Sequence, residues 1–411
     1  MQQNLKGFRD FLPEEKSKRD YIIANLKKTF ELFNFQPLET PTLEYADLLL
    51  GKYGQEADKL IYTFTDKGGR QVALKYDQTV PTARILSQYR NFLPKYFRRY
   101  QIQNVFRAEK PQKGRYREFT QCDIDIFGSE SPIADAEIIA TTYYAFINLG
   151  FKNFKILIND RQILFENLKE FTNKKVGIFS LIQSLDKIEK INEVGVIKEL
   201  EKKGLSSNFS KKAIEKLKKT QISSSLKQII ELTNNLGVPM EYLEFNPFLA
   251  RGLDYYTGVI IEVKAEDYPC GSLAGGGRYD NLIKQIAQID IPAVGLAFGL
   301  DRITEVMQSL KLFPDVEEKK ILVTIFDPKT LISCLQIASN LRQWGFKTEV
   351  YPELEKLDKQ LKFANKQNFN YVIIFGEQEK AKQVVIIKKM KEKKQIEVKI
   401  TDLKNYFQLL K

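Results

Sequence analysis

Residues 249–258 read LARGLDYYTG, and residues 275–282 read GGGRYDNL. The first segment sets a cation, Arg251, beside an acid, Asp254, and two phenols, Tyr255 and Tyr256, with Gly252 and Gly258 between and after them. A core strand alternates apolar and polar side chains. Here polar and aromatic groups crowd together, as a pocket for a small polar ligand requires. The plainer alternative is an amphipathic strand with a surface arginine. Gly275, Gly276 and Gly277 allow close approach of backbone to a ligand, or serve a tight turn.

A second group of residues has anion chemistry. Two β-type runs, 96–107 and 116–127, flank the polar loop EKPQKGR. On the second run Phe119, Gln121, Asp123 and Asp125 share one face, and Thr120, Cys122, Ile124 and Ile126 share the other. One face packs, so the other carries an amide and two carboxylates, which are costly to bury without partners or a ligand. Arg107 ends the first run, and Lys110, Lys113, Arg115 and Arg117 follow. Guanidinium forks beside an open sheet face suit a phosphate chain; a solvated basic hairpin tip is the alternative. Arg302, at a strand-to-helix turn, is a further phosphate candidate or a surface arginine. No GxxxxGK[ST] loop is present, which excludes P-loop nucleotide binding.

The chain has no histidine in 411 residues, so imidazole catalysis and histidine-ligated metal sites are excluded. Chemistry must run on carboxylates, Arg and Lys, amides, phenols and backbone. Cys122, Cys270 and Cys334 lie far apart and form no CxxC pair, against a zinc site or disulfide framework and in keeping with a reducing cytosol. No apolar run is long enough to span a bilayer. The start, MQQNLKGFRDFLPEE, has no apolar stretch behind basic residues and reads as no secretory leader.

Several elements must position these groups. Apolar spacing over 14–33 (Tyr21, Ile22, Leu26, Phe30) predicts a long amphipathic helix. FQPLETPTLEY follows, and Pro37 and Pro41 make it an extended edge segment. A helix is expected at 133–149 and a strand at FKILIND. A Lys, Glu, Ile and Leu-rich helical insertion is expected over about 165–240. Strand character returns at 258–263, and 292–307 passes from strand into helix. KLFPDVEEKK reads as a linker. Beyond it ILVTIF, a helix at 329–344, FKTEVY, a helix at 357–367 and YVIIFG alternate, before two short strands and a last helix at 402–410. The expected domains are 1–315, carrying the chemistry, and an α/β domain at 319–411. That second domain holds 19 basic and 10 acidic residues, nine of the twelve surplus positive charges. The surplus points to a polyanionic partner, nucleic acid first, or to a solvated lysine-rich surface.

These residues resemble a known family. FRAEKPQKGRYREFTQCDIDIFG (106–128) looks like the second signature motif of class II aminoacyl-tRNA synthetases in its histidyl form. PAVGLAFGLDRI (292–303) looks like the third motif, and the first helix with FQPLETP resembles the dimer-forming first motif. LARGLDYYTG and GGGRYD are similar to the two segments particular to histidyl-tRNA synthetases. The match runs from Gly7 to the C-terminus.

The resemblance implies an α+β fold: an antiparallel sheet with flanking helices, a helical insertion, and a C-terminal α/β anticodon-binding domain. It implies a cytoplasmic homodimer that takes ATP with Mg2+, L-histidine and the histidine tRNA. Histidine plus ATP would give histidyl-adenylate and pyrophosphate, and the histidyl group would then pass to the tRNA 3′ end. Arg251 and Arg107 are the implied catalytic residues, Arg107 on the α-phosphate and Arg251 on both carboxylate and α-phosphate. Asp77, in LKYDQTVP, and Gln121 match positions for the amino group; Asp125 and Tyr256 match those for the imidazole. Tyr255 and Tyr279 complete the amino-acid pocket. Glu109, Arg115 and Arg302 join Arg107 at ATP, and Lys110, Gln112 and Arg117 are candidates for the tRNA acceptor end. Position 77 is Asp where many bacterial relatives carry Glu, Lys110 stands where many carry Arg, and QCDID is closer to the archaeal and eukaryotic form. The alternative is a non-catalytic paralogue regulating a histidine-biosynthetic phosphoribosyltransferase. That type lacks the anticodon domain and usually the special arginine, whereas this chain has Arg251 and a basic C-terminal region.

Overall fold

The computed structural model describes residues 3–52, 58–112, 114–251, 255–268, 271–314 and 319–409. The chain divides into two compact units, residues 1–313 and 314–411.

The first unit is built on an eight-stranded sheet. Six strands run antiparallel in the order Phe97–Phe106, Glu118–Phe127, Ala293–Gly299, Ala274–Arg278, Val259–Ala265 and Phe154–Asp160. A short strand lies parallel at each edge, Gln36–Pro37 on the first and Leu243–Phe245 on the last. Pro37 has no N–H to give a ladder and so sits on the edge, where the sequence expected extended chain. The segment's second half, Leu43–Tyr45, joins a separate three-stranded sheet with Gln71–Leu74 and Thr63–Thr65.

Helices Pro13–Leu32, Pro132–Asn148 and Leu300–Ser309 cover one face of the large sheet. Pro13–Leu32 starts with proline at its first position and Glu14 and Glu15 in its first turn, both favourable there. Its Ile22, Leu26 and Phe30, one turn apart, pack with Cys122, Ile124 and Ile126 of the sheet. Pro132–Asn148, capped by the Ser131 hydroxyl, joins the same core through Ile138, Ile139 and Phe146. Each fully buried Leu, Ile or Phe here adds about 1.5–3 kcal/mol. That burial turns the alternate residues Gln121, Asp123 and Asp125 to the opposite face.

The helical insertion comprises Arg161–Leu168, Ile178–Leu185, Ile188–Lys203, Ser207–Lys218 and Ser224–Asn235. The first four share a core of Leu181, Leu200, Ile214 and Leu217 that continues into Tyr256 and Tyr279. The insertion thus backs the aromatic wall of the site.

The second unit has a five-stranded sheet in the order Lys347–Val350, Lys320–Val323, Tyr371–Ile374, Val384–Lys389, Lys394–Lys399. The first three strands are parallel and the last two antiparallel. Helices Leu331–Gln343 and Leu357–Lys366 make the crossovers, with buried Ile337, Leu341 and Ala364. A short helix, Glu377–Lys382, was not foreseen, since EQEKAK has no apolar face to read. Among the described residues, no helix is long and apolar enough to cross a membrane.

Candidate active site

The polar face of the 97–127 hairpin is a two-strand floor. Register sets Arg99 opposite Asp125, Gln101 opposite Asp123 and Gln103 opposite Gln121. Above it lies a cavity of about 350 Å³, within the range of small-molecule sites. Gln121 and Asp125, four residues apart, set a length of about 13 Å along the strand.

Carboxyls and phenols gather at one end. Asp77, Gln121, Asp123 and Asp125 line it, with Tyr255, Tyr256 and Tyr279. Arg99, fully buried, places Nη2 2.6 Å from one Asp125 oxygen, and the Tyr279 hydroxyl donates to the other. Burial still holds the Asp125 carboxyl above its ordinary range, against the pull of Arg99 and the Tyr279 hydrogen bond. Burial also pushes the phenols of Tyr255 and Tyr279 well above their usual value, so both remain donors. Arg278 points to the other face of its strand, bonded to Asp135 and Asp280, which leaves Tyr279 to the cavity.

Arginines line the rest. Arg107 donates from Nε to the Tyr76 carbonyl at 3.1 Å, with its guanidinium 4.4 and 5.1 Å from the rings of Tyr76 and Phe119. With Nε committed, the two terminal nitrogens are the fork left for an anion. Arg302 is tied through Nη1 to the Ser272 carbonyl at 2.8 Å. Its neighbour Asp301 is held by Arg9 and Arg19 from the N-terminal segment. Glu109 and Arg115 face each other at 3.6 Å.

Arg251 joins the two ends. Its backbone is left-handed (φ +47°), rare outside glycine. Neighbouring elements fix it there: Asp186 accepts its N–H, Arg161 donates to the Ala250 carbonyl, and Asn159 donates to the Leu249 carbonyl. Its Nη1 lies 3.6 Å from Glu262. Gly275 faces the guanidinium so closely that a Cβ there would lie 1.6 Å from Nη1. A Cβ at Gly295 would likewise strike the Asp125 carboxylate. The glycine run is therefore not a tight turn, and Gly275 and Gly276 do line the cavity. The run is a buried strand, and the atom that approaches Gly275 belongs to the protein.

Eleven of the fourteen site residues that the resemblance implies line this one cavity: Asp77, Arg107, Glu109, Arg115, Gln121 and Asp125 from the first half of the chain, and Arg251, Tyr255, Tyr256, Tyr279 and Arg302 from the second. Lys110, Gln112 and Arg117 do not. Lys110 and Gln112 are exposed beside it. Arg117 is spent on backbone, donating to the carbonyls of Glu109 and Lys6. Gly252, Asp254, Lys113 and Cys270 lie outside the described residues. Sequence reasoning missed Arg99 and Lys75. Lys75 is fully buried, donates to the Thr40 carbonyl, and is brought down to about 8 by burial. The signal for Arg99 was its hairpin register opposite Asp125.

A family model described as "Histidyl-tRNA synthetase" matches residues 7–303, and one described as "Anticodon binding domain" matches residues 320–410. A histidine–tRNA ligase of Wolinella succinogenes is 38% identical over 94% of this chain and 93% of its own. One of Porphyromonas gingivalis is 38% identical over 94% of each. Among solved structures, a histidyl-tRNA synthetase from a Nostoc species superposes with a TM-score of 0.84 at 29% identity, covering 100% of this chain and 99% of that one. With the antiparallel sheet, its two parallel edges and the arginine-lined cavity, these likenesses agree: the chain belongs to the histidyl-tRNA synthetase family.

Proposed function

We infer that this chain joins L-histidine to the histidine tRNA in two steps. The observation that carries this is that one cavity holds Asp125, Tyr256 and Tyr279 at one end and Arg107 and Arg302 at the other. A neutral imidazole has one N–H and one acceptor nitrogen, which a carboxylate and a phenol satisfy together. Such a pocket rejects apolar amino acids by leaving its own polar groups unpaired. Asp77 and Gln121 take the amino group.

The histidine carboxylate then attacks the ATP α-phosphorus. A C–O–P linkage forms, the Pα–O–Pβ bond breaks, and pyrophosphate leaves. Arg107 holds the α-phosphate, Arg302 the ATP tail, and Glu109 and Arg115 complete the nucleotide wall. Arg251 bridges carboxylate and α-phosphate, so one anion can attack another where water would not hold them together. In the second step the tRNA 3′-terminal ribose hydroxyl displaces AMP. Neither step uses a histidine of the enzyme. Magnesium bound through phosphates needs only one or two protein carboxylates, and Glu109 at the arginine end fits that need. When bound, the ion neutralises charge on the departing pyrophosphate.

The second unit, with its positive surplus, takes the anticodon region of the tRNA. Lys110 and Gln112, exposed beside the cavity, suit its acceptor end; Arg117 orders that loop instead. A cytoplasmic location belongs to this reading, since the substrates meet there.

The chain acts as a homodimer. Leu12, Leu32, Tyr45, Phe64, Phe92 and Tyr96 are 45–86% exposed, large apolar side chains left for a second copy to cover. Sedimentation equilibrium at micromolar concentration should return twice the chain mass of 47.7 kDa; a monomer rejects the dimer. The regulatory alternative gains nothing, because Arg251 is in the cavity and relatives spanning nine-tenths of the chain are ligases.

ATP–pyrophosphate exchange without tRNA, run with each of the twenty amino acids, tests the activity. Exchange with histidine alone is expected. No exchange with any, from folded protein that still binds histidine, would move the assignment to the regulatory type.

A further inference from the structure

Asp123 stands between Gln121 and Asp125 on the cavity floor and is only 5% exposed. Its Oδ1 is shielded from solvent and has no hydrogen-bond partner among the described residues. The strands on either side explain why. Gln101, directly opposite, commits its amide nitrogen to Thr40 and Gln103. On the other side the register partner is Ala297, which has nothing to donate. The charged groups facing Asp123 are Arg99 and Arg107 from the hairpin's first strand and its end, Asp125 on its own strand, and Asp77 and Lys75 beyond Gln71–Leu74. Arg107 is committed to the α-phosphate in the function inferred above, which leaves three carboxyls, Asp77, Asp123 and Asp125, facing Arg99 and Lys75. One more positive charge would balance them, and the α-ammonium of an amino acid supplies it.

We propose that Asp123 is a specificity-determining residue: it receives the α-ammonium of the bound amino acid beside Asp77, and its carboxyl ionises as the amino acid enters. This rests on the histidine-activating function inferred above. In the unliganded pocket, burial pushes Asp123 up to about 8, Arg99 opposing and the Asp125 charge adding. Burial thus favours the carboxylic acid over the carboxylate in the unliganded pocket. An ammonium group at hydrogen-bond distance favours the carboxylate. The O–H bond breaks, the proton leaves to solvent, and no covalent bond forms to the ligand. The same charge balance makes a ligand that has the imidazole but lacks the amine bind more weakly.

Calorimetric titration of the full chain with L-histidine at pH 7, in two buffers of different protonation enthalpy, reads the proton. The amine-free analogue 3-(imidazol-4-yl)propanoate serves as the second probe, and the ring proton each free ligand carries at that pH, measured by titration, is subtracted from its own release. Histidine should release about one proton more than the analogue, and the difference should shrink as pH rises from 7 to 8.5. Asp123→Asn should melt no lower than the parent, bind histidine about tenfold or more weakly, and show no difference between the two probes. Equal proton release by histidine and the analogue, or an Asp123→Asn protein that releases as the parent does, overturns the proposal. If the parent binds no histidine, the ligase function falls first.

Discussion

Gly275→Ala should slow histidyl-adenylate formation about a hundred- to a thousandfold, as much as Arg251→Ala, without loosening the fold. An alanine Cβ at 275 would lie 1.6 Å from Nη1 of Arg251, and its three nearest atoms all belong to that guanidinium. What must yield is the far end of a flexible side chain, not backbone, so folding is spared. The guanidinium, however, is the group proposed to hold two anions in line. Displacements of about an ångström at such a site cost on the order of a hundredfold in rate. Histidine-dependent ATP–pyrophosphate exchange measures the loss, and thermal unfolding measures the fold. The double variant Gly275→Ala/Arg251→Ala should be no slower than Arg251→Ala alone, because both changes remove one interaction. A Gly275→Ala enzyme within a few-fold of the parent would refute the role given to Arg251.

Arg99→Met should destabilise the first unit by about 3–5 kcal/mol at neutral pH. The side chain is fully buried and is the charge partner of Asp125, with Asp123 nearby. Without it these buried carboxyls ionise without compensation or stay protonated. The sign follows from where the protons sit. Asp123 and Asp125 are held above the ordinary carboxylate range, so at intermediate pH the folded state binds more protons than the unfolded state. Stability then falls as pH rises through that window, which for Asp123 runs from about 4 to about 8. Removing Arg99 raises both carboxyls further, so the variant's deficit should be small near pH 5 and largest near pH 8. Urea unfolding at the two pH values decides it. A deficit that does not change with pH would show that Arg99 acts only by filling space.

Much of this was legible in the residues. The alternation of QCDID gave the two faces of one strand, because a half-buried strand has a period of two. The polar crowding of LARGLDYYTG marked a ligand wall. The other half of the floor was hidden in FRRYQIQN. Arg98 and Arg99 are adjacent and identical in type, yet Arg98 pairs with Glu137 outside while Arg99 is buried against Asp125. Only the hairpin register separates them. The fit of Arg251 over Gly275, and of Asp125 over Gly295, joins residues far apart in the chain and leaves no local pattern. Nor does a sequence say that Arg117 is spent on backbone carbonyls.

The polar side chains of the cavity walls are mainly carboxylates, phenols, an amide and guanidiniums, and the whole chain has no imidazole. In a magnetic resonance spectrum, every imidazole line from a complex with histidine therefore comes from the substrate. The tautomer chosen by the pocket, the proton on each ring nitrogen and the exchange of free with bound ligand can be read from the intact enzyme without isotopic editing. Few proteins that bind this amino acid supply their own blank.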